Sequence, residues 1–149
     1  MGTSRAEAKN IIDSYMAGLP EIREYIDTTK KFATENACVY TPWGRRIELP
    51  EARNPRMRAY AMRAAVNAPI QGYEADLMRR IMVEIDKNII APNADTIRMI
   101  MQVHDEIVFE CDAARADEFA LKIKSAMENV TKLSVPLVAE YVIAPVWGK

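Results

Sequence analysis

The sequence predicts an α+β domain built on an antiparallel sheet. Three observations carry that prediction. Two apolar stretches with turn residues at their centres read as β-hairpins, around Pro42-Trp43-Gly44 and around His104-Asp105. Four stretches show apolar residues at helical spacing. The two kinds alternate without the βαβ rhythm of a parallel sheet.

The elements follow in order. Ser4-x-x-Glu7 spells a capping box, and Gly18-Leu19-Pro20 ends the helix it opens. Pro20 suits the first turn of a second helix, with Ile22, Tyr25, Ile26, Thr29, Phe32 and Ala33 at helical period, so residues 4–36 read as helical. Val39-Tyr40-Thr41 and Ile47-Glu48-Leu49 flank a turn and make a hairpin over 38–50. Asn54-Pro55 reads as a cap and first helical proline, opening a helical region over 54–88. Pro69 should distort or stop that helix near Ala68, with a further helix from about Gln71 to Lys87 carrying Leu77, Ile81 and Ile85 on one face. A second hairpin spans 97–111. Asp112 then caps a helix over 113–131 with Phe119, Ala120, Ile123, Met127 and Val130 as its core stripe, and 136–143 returns as a final strand.

Composition narrows the function. The chain has 149 residues and a net charge of −1, so a polyanionic partner is not signalled globally. Charge is nevertheless uneven. Between Thr41 and Arg80 stand Arg45, Arg46, Arg53, Arg56, Arg58, Arg63, Arg79 and Arg80, with no lysine and only Glu48, Glu51, Glu74 and Asp76 in opposition. Arginine without lysine suits forked recognition of phosphates or base edges better than mere solubility, with a solvated basic face as the plain alternative. Cys38 and Cys111 form no Cys-x-x-Cys, so neither zinc nor a disulfide framework is indicated and a reducing, intracellular setting is the default. No apolar run approaches the length of a membrane span, and the N-terminus lacks a signal-peptide core.

Two constellations can carry chemistry. His104, the lone histidine, precedes Asp105 and Glu106 between apolar strands. Charges there need a compensating cation or hydrogen bonds unless the turn simply faces water. Neighbours on a regular strand point to opposite faces, so Asp105 and Glu106 reach one ion only if the turn intervenes. A hard divalent cation would also require a carboxylate from elsewhere, whereas zinc hydrolysis has too few nitrogen ligands. The second constellation is Arg63, Asn67 and Gln71, spaced by four and followed by Gly72. On one helical face their donors suit the acceptors that every base pair presents in the minor groove; the plain alternative is a solvated helix face.

Together these strings resemble a known family. Gln102-Val103-His104-Asp105-Glu106-Ile107-Val108-Phe109-Glu110 is similar to a block near the C-terminus of family A DNA polymerases, and Arg63-Ala64-Ala65-Val66-Asn67-Ala68-Pro69-Ile70-Gln71-Gly72 to a second block of that family. Gly44-Arg45-Arg46 before Leu49-Pro50 and Val135-Pro136-Leu137 resemble two further segments in the same order, from about Ser4 to Trp147. The resemblance implies a palm-type antiparallel sheet with packed helices, incomplete relative to a full polymerase. It implies that Asp105 ligates catalytic Mg2+ with Glu106 beside it, and that Arg63, Asn67, Gln71 and His104 touch primer–template DNA. The implied reaction is attack of a primer 3′-hydroxyl on a deoxynucleoside triphosphate with two metal ions, in replication or repair in a bacterial or phage-like cytoplasm.

Departures are specific. Tyr73-Glu74-Ala75-Asp76 stands where the family usually has Thr-Ala-Ala-Asp, Met62 where a glutamate commonly precedes the matched arginine, and the last residues differ from the usual Asn-Trp ending. The family's first catalytic aspartate block and its fingers helix have no counterpart here; Arg5-x3-Lys9 continues with Asp13 and Ala17 where aromatics are needed. The expectation is therefore the C-terminal palm portion of a split or truncated polymerase, inactive alone, with an N-terminal chain supplying the other aspartate and the fingers. A non-catalytic DNA-binding or interaction remnant is the alternative, and a stand-alone metal nuclease a third.

Overall fold

Ser4 opens the first helix with a reciprocal cap. Its hydroxyl accepts from the Glu7 N–H at 3.2 Å while its own N–H donates to the Glu7 carboxylate at 2.8 Å. The computed structural model describes residues 4–147. Helix α1 spans Arg5–Ala17 and α2 spans Pro20–Asn36. Strands β1 (Cys38–Tyr40) and β2 (Arg46–Glu48) pair antiparallel, with Val39 opposite Ile47. A 3-10 turn at Pro50–Arg53 leads to α3, Arg58–Ile85. Strands β3 (Ile97–Val103) and β4 (Glu106–Cys111) form the second antiparallel pair, and α4 covers Ala116–Asn129. The class is α+β. Two compact units divide the chain, one ending at Tyr73 and one beginning at Glu74.

The core of the amino-terminal unit is made of small residues. Ala33, Ala37, Val39, Leu49, Ala52, Ala61 and Ala65 are buried together, with Ile47, Met62 and Ala68 packed against them. Ala61, Ala65 and Ala68 recur at helical spacing, so one face of α3 lies close to its neighbours. Much of the predicted α2 stripe remains open, since Ala33 is its only buried residue and Ile22 and Phe32 are exposed. Helix α1 buries none of its residues.

The chain does not stop or break at Pro69. Helix α3 runs 28 residues with this proline inside it. Proline removes the N–H that would bond the carbonyl four residues earlier and loosens that turn. The Tyr25 hydroxyl donates to the Val66 carbonyl at 2.9 Å and so ties α2 to α3 one residue beyond Ala65, whose carbonyl is the one that Pro69 cannot bond. We expect Tyr25→Phe to lower the unfolding free energy by about 1 kcal/mol, the usual contribution of one such bond, as read by urea denaturation. The helix also starts later than its sequence suggests. The Asn54 side chain accepts from the Arg56 N–H at 3.0 Å and closes a local turn, so Asn54-Pro55 shapes the approach rather than the first helical turn.

In the carboxy-terminal unit Met78, Ile81, Ile85, Ile89, Ile97, Phe119 and Ile123 form the core, flanked by Met99, Ile107, Phe109 and Met127. Strand β3 carries a bulge: Met99 pairs with Phe109 and Met101 with Val108, leaving Ile100 unopposed and 54% exposed. Asp112 makes no side-chain cap; a 3-10 turn over Ala113–Arg115 precedes α4 instead. Residues 136–143, expected as a strand, adopt no strand conformation. A strand requires a neighbour for its backbone groups, and the described residues pair this segment with none. It is tied to α4 by side chains: Glu128 Oε1 accepts from the Ala139 N–H at 3.1 Å, and Lys124 donates to the Ala139 carbonyl.

Arg115 joins the start of α4 to the preceding segments. Its guanidinium meets Glu118 through two contacts of 2.9 and 3.0 Å, reaches Asn93 at 3.1 Å and Thr96 at 3.3 Å, and lies 4.4 Å from the Phe119 ring centre. The hydrogen bond from Arg115, with help from Lys122, holds the Glu118 carboxyl down at about 2. Because the folded value lies below the ordinary 4.5, the associated stability is present above about pH 4.5 and is lost as pH falls toward 2. Glu118→Gln is expected to flatten the acid-unfolding profile in that window, monitored by circular dichroism, and to leave the profile near neutrality parallel to that of the parent.

Candidate functional site

The turn between β3 and β4 consists of two residues, His104 and Asp105, with Val103 paired to Glu106 across it. His104 takes φ +55°, the left-handed region that a histidine occupies only at a cost. It is the only turn residue of the two with positive φ, as in a II′-type hairpin, where glycine would be the unstrained choice. A non-glycine residue held there is the kind of strain that accumulates at functional turns. The Gln102 side chain braces it by donating to the His104 carbonyl.

This turn sets the acidic pair. Asp105 sits in the turn itself and Glu106 begins β4, so the strict alternation of a strand does not separate them. Both are exposed, as is His104. Glu106 is held by the indole of Trp147, whose Nε1–H donates to Oε1 at 2.7 Å. Among the described residues no group of three or more His, Cys, Asp or Glu side chains gathers into a cage for a metal ion. Carboxylate oxygens are the ligand type that a magnesium-type cation takes, together with water, substrate oxygens and a further carboxylate.

In the amino-terminal unit, Arg63, Asn67 and Gln71 are all exposed on α3. The helix is unbroken through Pro69, so the spacing of four keeps them on one face, opposite the buried Ala61, Ala65 and Gly72. The first hairpin supports this stretch. Its loop is closed by the Thr41 N–H to the Arg45 carbonyl at 2.9 Å and by the Gly44 N–H to the Thr41 carbonyl at 2.8 Å, with Gly44 at φ +81°. Arg45 then reaches the Gly72 carbonyl at 2.8 Å, and Trp43 meets Tyr73 edge-on at 4.8 Å. The structure thus divides the arginines that the sequence grouped together. Arg45 braces α3, Arg46 pairs with Glu48 at 3.2 Å and Arg79 with Asp76 at 3.2 Å. Arg53, Arg56, Arg58 and Arg63 stay exposed on the surface.

Two departures acquire physical roles. Met62 receives the Thr34 hydroxyl at its sulfur, 3.3 Å away, and packs on the alanine core. Tyr73 supplies the ring that Trp43 meets. Sequence reasoning missed Gln102 as a brace and Trp147 as a partner of Glu106. An exposed indole with a donor to satisfy, near the end of the chain, is the one signal that could have drawn attention to the latter.

The chain belongs to DNA polymerase family A, whose family pattern matches residues 1–149. It is 41% identical over 142 residues to DNA polymerase I of Streptococcus pneumoniae, covering 94% of this chain and 16% of that protein. It is 40% identical over 156 residues to DNA polymerase I of Rhizobium leguminosarum, covering all of this chain and 15% of that one. A solved structure, the POL domain of Pol1 from M. smegmatis in complex with DNA primer-template and dNTP, matches with a TM-score of 0.80 and 35% identity over 90% of this chain and 24% of the other. The chain spans about one sixth of the length of these curated relatives.

Proposed function

We propose that this chain is the C-terminal palm portion of a family A DNA polymerase that extends a primer 3′-hydroxyl on a DNA template. The observation that carries this reading is its likeness, over 90% of its length, to a polymerase domain holding DNA primer-template and dNTP. The partners are primer–template DNA, a deoxynucleoside triphosphate and an N-terminal polymerase chain contributing the fingers and another catalytic aspartate. The reading places this work on DNA in the cytoplasm; among the described residues no helix is long and apolar enough to cross a membrane.

Each residue has a part. Asp105 would ligate Mg2+, with Glu106 beside it; when bound, the cation stabilises charge on the reacting phosphoryl oxygens and favours ionisation of the attacking hydroxyl. Arg63, Asn67 and Gln71 donate to purine N3 and pyrimidine O2 acceptors near the primer terminus. Those acceptors occur in every base pair, so the contacts test pairing geometry without reading sequence. His104 faces the primer terminus, held by the strained turn. Positioning and charge stabilisation account for most phosphoryl-transfer catalysis, so rigid presentation of these groups is what the fold has to supply.

Exposed apolar side chains support the need for another chain. Ile11, Ile12 and Tyr15 on α1, and Val138, Val142 and Val146 in the final segment, are each more than half exposed. Surface of this kind is normally covered in the working assembly. Exchanging this chain for the matched 142 residues of the Streptococcus pneumoniae enzyme tests the reading. The chimera is expected to extend a primed template in Mg2+. A folded chimera that binds primer–template but does not extend it would identify the chain as a DNA-binding remnant.

A further inference from the structure

We propose that Trp147 is a positioning residue for polymerisation, fixing the Glu106 carboxylate beside Asp105 through its indole N–H. The inference rests on the polymerase reading of the hairpin, but its physical basis is local. Glu106 is exposed, and its long side chain has several torsions to order before the carboxylate can act at a defined place. The only side-chain hydrogen bond it makes among the described residues comes from Trp147, at 2.7 Å and 41 positions along the chain.

The chemistry of the donor matters. An indole has one N–H and no charge, and it cannot accept a hydrogen bond. It therefore holds Oε1 without neutralising the carboxylate, leaving Oε2 and the full negative charge for a cation or a cation-bound water. A lysine or arginine in the same place would compete with the cation. Packing does not explain the indole's position, because Trp147 is 61% exposed. Its approach is set from upstream, where Glu128 and Lys124 on α4 grip both backbone polar groups of Ala139. The stretch from Ala139 to Trp147 thus acts as a strap from α4 to the hairpin turn.

The test has two arms. The chain contains two tryptophans, Trp43 and Trp147, so its 1H–15N spectrum contains two indole signals, and Trp147→Phe assigns one of them. Glu106→Ala is expected to shift that signal and to speed its exchange with solvent about tenfold, leaving the Trp43 signal in place. A Trp147 signal indifferent to Glu106→Ala overturns the tether. The second arm uses the chimera, where Trp147→Phe is expected to raise the Mg2+ concentration for half-maximal extension about fivefold, with the rate recovering at saturating Mg2+. Trp147→His, which can restore a ring N–H, should recover part of that shift. Loss of extension by the same factor at every Mg2+ concentration, or no change at all, overturns the positioning role. A parent chimera that fails to extend primers contradicts the polymerase reading instead, and the indole signal still decides the tether on its own.

Discussion

Asp105→Asn lowers primer extension by the chimera about a thousandfold while leaving its affinity for primer–template within about twofold. The estimate follows from removing one carboxylate charge from a metal-assisted phosphoryl transfer, an effect of about 4 kcal/mol on the barrier. Binding is spared because the donors assigned to DNA lie elsewhere, on the exposed face of α3 and at His104. Asparagine is nearly the same size as aspartate, and Asp105 is an exposed turn residue, so the thermal midpoint should move little. Single-turnover extension and fluorescence anisotropy on the same preparation separate the two effects. Retention of more than about a tenth of the rate would remove Asp105 from the chemistry.

Gly72→Val is expected to destabilise the amino-terminal unit by about 3 kcal/mol. A Cβ at this position would stand 2.7 Å from Thr41 Cγ2, 2.9 Å from Ile47 Cδ1 and 3.1 Å from Arg45 Nη2. Thr41 has little room to yield. It is buried, and its hydroxyl accepts from the Arg45 N–H at 3.2 Å, so turning its methyl away breaks a closing bond of the hairpin. Replacing a helical glycine with valine recovers roughly 0.5 kcal/mol of propensity, which overpacking of about 3 kcal/mol or more outweighs. Heat denaturation monitored by circular dichroism gives the number. Because Arg45 also bonds the Gly72 carbonyl, the variant should disturb the presentation of Gln71 as well.

These two positions show how far local sequence signals reach. The Ser4–Glu7 box, the proline-started α2 and the two hairpins were legible because each depends on residues a few positions apart. Pro69 misled for the opposite reason. Its local preference is to interrupt a helix, whereas the helix is held past it by a face of alanines that packs closely and by long-range contacts such as the Tyr25 hydroxyl on the Val66 carbonyl, 41 positions away. The bulge at Ile100 depends on register with β4, which periodicity within one strand does not encode. Residues 136–143 have strand-like composition, yet composition cannot provide the neighbour that a strand's backbone requires.

The candidate site divides in the same way. Its residue types and order were readable, and so was the resemblance they carry. The positive φ of His104 was not, because nothing in a His-Asp turn demands a left-handed residue when Asn-Gly or a glycine would be the unstrained choice. Nor was the allocation of arginines. Arg45 and Arg63 look equivalent in a charge count and both are exposed, but Arg45 also reaches a helix carbonyl. The Trp147–Glu106 bond spans most of the carboxy-terminal unit and has no periodic signature.

In the function proposed above, this chain supplies part of a polymerase active site that a second chain completes. The most direct measurement mixes the chain with the Streptococcus pneumoniae DNA polymerase I from which the matched segment has been deleted, and follows extension of a labelled primer in Mg2+. No extension is expected from either component alone, and template-directed extension is expected from the mixture, abolished by Asp105→Asn. Extension by this chain alone, sensitive to Asp105→Asn, would contradict the proposed function.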